Sequence, residues 1–171
     1  MINGNVSRQI LIEELEQLRL AIIKHHTDAG QVASGKTIKS LHVEATEYEG
    51  TLYGHKPFGV LETGRRGGAV PSGFTGIILQ WMKDKGIKVD PIPYKTNKPH
   101  KYTPQERGNL QFSYFVAQKI KKAGTLLYRH GGRADIYSNE IPQTVEKVGQ
   151  RLLKLFGAEI SSIKLNKETK I

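Results

Sequence analysis

Ser34–Arg66, SGKTIKSLHVEATEYEGTLYGHKPFGVLETGRR, supports two incompatible readings. Its first residues complete Gly30-Gln31-Val32-Ala33-Ser34-Gly35-Lys36-Thr37, which fits G-x-x-x-x-G-K-[ST] at every fixed position. In a phosphate loop of that kind, successive backbone N–H groups wrap the phosphates, Lys36 neutralises the outer ones and Thr37 holds magnesium. Such a loop works only between a buried strand and a long helix. Neither is in the pattern: residues before Gly30 repeat with a helical period, and after Ser40 the period is two. Leu41, Val43 and Ala45 alternate with His42, Glu44 and Thr46. Tyr48-Glu49-Gly50 signals a turn, Thr51-Leu52-Tyr53 returns as a second strand and Gly54 closes the hairpin. The other reading is therefore a helical turn within Ser34–Ser40, a β-hairpin, a loop at His55-Lys56-Pro57 and a short buried patch of Phe58, Val60 and Leu61. A flexible basic loop, Gly64-Arg65-Arg66-Gly67-Gly68, follows, its glycines permitting close backbone approach.

Upstream, Leu11, Leu15, Leu18 and Ile22 recur at spacings of four, three and four, which predicts a helix over about Ser7–His26 with Ser7 as N-cap and Gly30 beyond its end. Ile10, Ile12, Leu20 and Ile23 widen its apolar surface, as expected of a helix sandwiched in the fold or shared with another subunit. Downstream, Phe74, Ile77, Ile78, Trp81 and Met82 share the face of a helix over about Phe74–Lys85, stopped by Gly86. The lysine- and proline-rich stretch at about 87–104 predicts a surface loop or arm. A third helix spans Gln105–Ala123, with Leu110, Tyr114, Ala117 and Ile120 or Lys121 on one side, supported by Phe115 and Val116. Gly124 interrupts it, and Thr125–Arg129 reads as a brief strand or a last helical turn before the glycine-basic loop His130–Arg133. A final helix covers about Pro142–Ile160, with Val145, Val148, Leu152, Leu155, Phe156 and Ile160 on its apolar face. The polar tail at about 164–171 is expected to be solvated.

These elements predict an α+β fold: a small antiparallel β-sheet packed against an N-terminal helix and further helices, with long loops or arms. At 171 residues the chain suits one domain, 1–171, with enough length to bury a core. Hydrophobic residues at 37% and charged residues at 25% suit a soluble globular protein. The absence of cysteine excludes disulfides, thiolate metal sites and a cysteine nucleophile. No apolar run reaches the roughly 20 residues that span a bilayer. The N-terminus lacks the basic and apolar regions of a secretory signal, so cytoplasmic synthesis without membrane association is expected.

The formal net charge of +10 and pI near 9.7 suggest an anionic partner, either nucleic acid or an acidic protein surface, with solubility alone as the alternative that charge by itself does not separate. Arg65, Arg66, Lys95, Lys98, Lys101, Arg107, Arg129 and Arg133 are the candidate interface or DNA-facing residues, on glycine-rich loops and the arm. No compact basic helix with an aromatic reading face stands out, so sequence-specific DNA recognition is not expected. His25 and His26, adjacent at a helix end, point to different faces and serve as helix-end polar residues, not as joint metal ligands. No H-E-x-x-H or G-x-S-x-G is present, and Asp135 with Glu140 lacks a pocket-forming context. No cofactor, metal or catalysis is expected. The open alternatives are nucleotide binding through Gly30, Gly35, Lys36 and Thr37, and a non-specific nucleic-acid-binding module.

The order of signals over roughly residues 8–66 resembles the head–tail connector, or tail-completion, family of tailed bacteriophage necks. An amphipathic N-terminal helix is followed by Ser34-Gly35-Lys36-Thr37-Ile38-Lys39-Ser40-Leu41, a hairpin, and Pro57-Phe58-Gly59-Val60-Leu61-Glu62-Thr63-Gly64. The second half departs from the family: a tryptophan-bearing helix and a lysine-proline arm stand where a short proline-aromatic segment is expected. Gly73–Gly86 and Ala117–Ser138 are similar in style to structural proteins of phages of gut Bacteroidetes, including the crAss-like group. The resemblance implies a non-catalytic virion subunit, assembled in the host cytoplasm. It also implies a closed ring of six or twelve copies between portal and tail, touching neighbouring neck proteins and, non-specifically, packaged DNA.

Overall fold

The computed structural model describes residues 4–96 and 98–162; the tail at 164–171 lies outside the described residues. In chain order the elements are α1 (Gly4–Asp28), α2 (Lys36–Lys39), β1 (His42–Ala45) and β2 (Gly50–Tyr53). A 3-10 turn at Lys56–Gly59 leads into α3 (Val60–Thr63), α4 (Phe74–Asp84), α5 (Pro104–Ala123), α6 (Leu126–Arg129) and α7 (Glu140–Ser162). The fold is α+β, with a small antiparallel sheet against the N-terminal helix. Contacts gather the chain into two compact units: Met1–Gly30 with Ile38–Lys56 and Ala134–Ile171, and Gln31–Thr37 with Pro57–Arg133.

In the first unit, α1 packs against α7 and both strands. Its buried residues, Ser7, Ile10, Leu18, Ile22 and His26, fall on one face at helical spacing. Ser7 is not the N-cap, because α1 begins at Gly4. Its hydroxyl sits inside the first turns, 3.0 Å from the carbonyls of both Gly4 and Glu47, and so links the helix to the hairpin. His26 lies in the last turn of α1, as expected, and is buried on the same face as Ile22. Arg151 of α7 forks across to α1, donating to Glu14 at 2.7 Å and Glu13 at 2.6 Å.

The hairpin pairs His42 with Tyr53, Val43 with Leu52, Glu44 with Thr51 and Ala45 with Gly50. Its inner face alternates as expected, but the turn is Thr46–Glu49, and Gly50 already belongs to β2. Thr46 shifts it. Its N–H donates to the Glu49 carbonyl at 2.7 Å, and its hydroxyl accepts from the N–H groups of Tyr48 and Glu49 at 3.3 and 3.1 Å. At the open end, Ser40 Oγ accepts the His55 N–H at 2.9 Å. The predicted final helix forms, but Val145 and Ile160 are exposed, and Val148, Leu152, Leu155 and Phe156 are only half-buried. Ile136, a lone apolar residue in the turn before α7, is fully buried.

In the second unit, α4 packs on α5. Ile78, Met82 and Ala117 form the buried centre, flanked by Phe74, Ile87, Val89, Val116 and Ile120. Gly86, at φ 64°, ends α4 as expected. The Gly86 and Ile87 N–H groups donate to Lys83 and Met82 at 3.0 and 2.9 Å, closing the helix end. Tyr114 and Phe115, expected on or beside the packed side of α5, are exposed, as are Ile77 and Trp81 on α4.

The stretch at 87–104 is a surface loop, but its described residues do not project as a free arm. Ile92 N–H donates to Pro104 at 2.9 Å, and Gln105 donates to the Val89 carbonyl at 2.7 Å. The Asp90 carbonyl lies directly over Gly108 of α5, where no side chain would fit.

At the start of α5, Thr103 and Glu106 form a reciprocal capping box. Thr103 Oγ1 accepts the Glu106 N–H at 3.2 Å, and the Glu106 carboxylate accepts the Thr103 N–H at 2.8 Å. Thr103→Ala should lower unfolding stability by about 1 kcal/mol, read as a lower urea midpoint with an unchanged slope. The Thr103 backbone N–H, and then its hydroxyl, hold the Glu106 carboxyl below its ordinary value. A depressed acid stabilises fully above its unfolded pKa, about 4.3, and that contribution fades as pH falls through the lower folded value. Glu106→Gln should remove this acid-sensitive component from the stability–pH profile.

Candidate functional site

Gly30–Thr37 lacks the surroundings of a phosphate loop. The helix α1 precedes it, α2 lasts four residues, and an antiparallel hairpin follows. The Lys36 N–H that would face a phosphate lies 3.4 Å from Ser34 Oγ.

The expected basic loops fold into one locality of the second unit. Residues 64–68 were expected to be flexible, yet they are clasped to the junction of α5 and α6. Arg65 N–H donates to Thr125 Oγ1 at 2.9 Å, and Thr125 N–H donates to the Arg65 carbonyl at 2.8 Å. Gly68 N–H donates to the Lys121 carbonyl at 2.7 Å. The Arg65 guanidinium is used locally: it donates to the Ala69 carbonyl and lies over the Phe74 ring, 5.4 Å from its centre. Arg66 is exposed and makes no ion pair among the described residues.

Residues 130–133 then return to α3. Arg133 N–H donates to the Glu62 carbonyl at 2.9 Å, and Gly132 N–H to that of Leu127 at 2.9 Å. Phe58, Val60 and Leu61 are not the buried patch here; Val60 is exposed and Phe58 and Leu61 half-buried, while the carboxylate-bearing Glu62 is the buried residue of α3. Helical winding of 56–63 turns the three apolar side chains in different directions, so they do not gather into one buried patch. Glu62, Thr63, Tyr128, Arg129, Gly132 and Arg133 line an open cleft of about 520 Å³. Arg129 and Arg133 are thus brought together.

The cations of the loop at 87–104 and of the first turn of α5 are placed differently. Arg107 donates to the Pro93 carbonyl at 3.1 Å and lies 4.8 Å from the centre of the Tyr94 ring, which stacks on His100 at 3.5 Å. Lys101 lies over Tyr102 at 5.3 Å. Lys95 and Lys98 are exposed. Two of the four therefore brace the loop, and two remain available.

Charge separates sharply between the units. The stretches of the second hold fifteen Lys and Arg against four Asp and Glu, a formal +11; the stretches of the first carry −1. The exposed side of α5 belongs to this basic surface; its lysines start the dense positive stretch Lys119–Arg133 but are not among the candidate residues, and Phe115 is expected on the packed side. Phe112, Phe115, Lys119 and Lys122 lie along the exposed side at spacings of three, four and three, a signal the sequence does contain.

Among the described residues, no group of three or more His, Asp or Glu is arranged to hold a metal ion, and no helix is long and apolar enough to cross a membrane. No family model matches the chain, and no curated protein or solved structure matches it.

Proposed function

We propose that this chain is a structural subunit of a ring in the neck of a tailed bacteriophage, joining head to tail as a connector, adaptor or tail-completion protein. The observation that carries this reading is the balance of apolar side chains. Among the described residues, eight hydrophobic side chains are buried while seventeen large ones stay exposed. Exposed apolar side chains occur in both units: Leu20, Val145 and Leu153 in the first, Ile77, Trp81 and Leu126 in the second. Large exposed apolar patches mark interaction surfaces. A closed ring built head to tail needs two different patches on each subunit.

The resemblance supplies the remaining support. The long N-terminal helix, the hairpin against it and the Pro57–Gly64 segment occur in the family's order, and the Glu-x-Gly of that segment is Glu62-Thr63-Gly64. On this reading the clasped loops are rigid docking surfaces. The portal, neighbouring neck proteins and packaged DNA are the partners, and the virion neck is the location.

Negative-stain electron microscopy and native mass measurement of the purified chain, alone and with a portal ring, test this reading. Closed rings of six or twelve copies in either condition are expected. Leu153→Glu, which places a charge at a side chain 74% exposed, should weaken assembly at least about tenfold while leaving the fold intact. A chain monomeric in both conditions, or tight ATP–magnesium binding lost in Lys36→Ala, would overturn the proposal.

A further inference from the structure

We infer that the outer face of α5, with the adjoining Arg66 loop, binds single-stranded nucleic acid. This goes beyond a ring role and does not depend on it. Phe112, Phe115, Lys119 and Lys122 form one line along a straight helix, about 15 Å from first to last. Phe115 is 57% exposed although its unit has an apolar core close by, so its ring is presented outward. Lys119, Lys122 and Arg66 make no ion pair among the described residues. The one acidic residue of α5, Glu106, is at the opposite end and committed to the capping box. Gly68 N–H is bonded to the Lys121 carbonyl and a Cβ on Gly67 would stand 3.0 Å from the Lys122 carbonyl oxygen, so the Arg66 loop adjoins the last turn of α5 and extends the basic surface there.

Charge complementarity selects the occupant. The surface belongs to the unit of formal +11, and an anionic polymer compensates such a surface where an apolar helix would not. The helix dipole favours a lysine at position 122, in the last turn, but Lys119 lies before that turn and Arg66 is on another segment, so helix-end compensation accounts for only one of the three cations. A duplex would use the cations and leave the two phenyl rings without a role. A single strand uses both: phosphates meet the ammonium and guanidinium groups, and unpaired bases stack on the rings.

Fluorescence anisotropy of the full chain with a labelled single-stranded oligonucleotide, the matching duplex and heparin as competitor tests this. The expected result is preference for the single strand, with affinity falling as about the second power of salt concentration for three phosphate contacts. Lys119→Gln/Lys122→Gln should weaken binding at least about tenfold and flatten the salt dependence. Phe115→Ala should weaken the single strand about tenfold and leave the duplex unchanged. Circular dichroism confirms that each variant is folded. Equal binding to duplex with no effect of Phe115→Ala would overturn the inference in favour of charge alone. Absence of binding at low salt would also overturn it. If the same substitutions instead abolish self-association, the face is a contact between copies.

Discussion

Gly124→Ala is expected to destabilise the second unit by about 3–5 kcal/mol, enough to unfold a marginal domain. Gly124 closes α5 at φ 80°, ψ 177°, a region that essentially only glycine occupies, and strain there costs about 1–3 kcal/mol. A Cβ at this position would also stand 2.6 Å from the Arg65 carbonyl oxygen and 3.0 Å from the Gly67 nitrogen. Both are backbone atoms. They cannot retreat without breaking the reciprocal Arg65–Thr125 bonds that hold the basic loop. Gly64, at φ 68°, faces the same clasp from the other side, with a Cβ site 2.5 Å from the Tyr128 nitrogen and 2.6 Å from Thr125 Oγ1. Gly64→Ala should therefore have a similar cost. Gly157, helical and with open space around its Cβ site, should respond with the opposite sign: Gly157→Ala should stabilise by about 1 kcal/mol. Urea denaturation of the three variants decides this. Equal, small changes in all three would show that the clasp does not constrain the chain.

The elements legible in the sequence are those whose information is local. The periods over Leu11–Ile22, Ile77–Met82 and Val148–Phe156 give α1, α4 and α7, and the two-residue alternation from Leu41 gives the hairpin. The hairpin turn was misplaced because Thr46 competes for the backbone through its own hydroxyl, a weaker turn signal than glycine. The clasp was not legible. Arg65 and Thr125 are 60 positions apart, and nothing near either residue specifies the partner. The same holds for Glu62 and Arg133, whose backbone bond brings two separately predicted loops onto one cleft. Ile136 left no trace because one apolar residue has no period.

Part of the candidate site was visible and misread. Phe115 counted as core because apolar residues in helices usually are, yet Lys119 and Lys122 continue its own line at helical spacing, and lysines are almost never fully buried. That spacing identifies a wet face before any coordinates are known. Conversely, Arg65 and Arg107 read as available cations because charge is visible in a sequence and carbonyl partners are not. In the folded chain each donates to a backbone carbonyl and lies over an aromatic ring, so their guanidinium groups brace loops. The division into two units was illegible for the same reason as the clasp: the chain contributes to each unit from separated stretches, with no linker composition between them.

Met82→Asp is expected to abolish folding of the second unit at neutral pH, with a loss of at least about 4 kcal/mol. Met82 is 1% exposed and sits with Ile78 and Ala117 at the centre of the contact between α4 and α5, ringed by apolar side chains. An aspartate there would lose the methionine's packing and would have no partner for its charge in that cluster. The penalty has a direction in pH. Burial favours the neutral acid, so the introduced carboxyl's folded pKa would rise above its unfolded value of about 3.9. Between those two values the folded state binds more protons than the unfolded one, so the variant gains stability relative to the parent as pH falls. The stability gap between variant and parent should therefore narrow from pH 7 towards pH 4. Met82→Leu, which keeps the volume and carries no charge, should cost less than about 1.5 kcal/mol at any pH, and Met82→Ala about 2–5 kcal/mol with no such pH dependence. Thermal melts of the three variants across that range separate the effects. A Met82→Asp variant that melts like the parent at pH 7 would place position 82 in contact with water and rule out a packed α4–α5 centre at Met82.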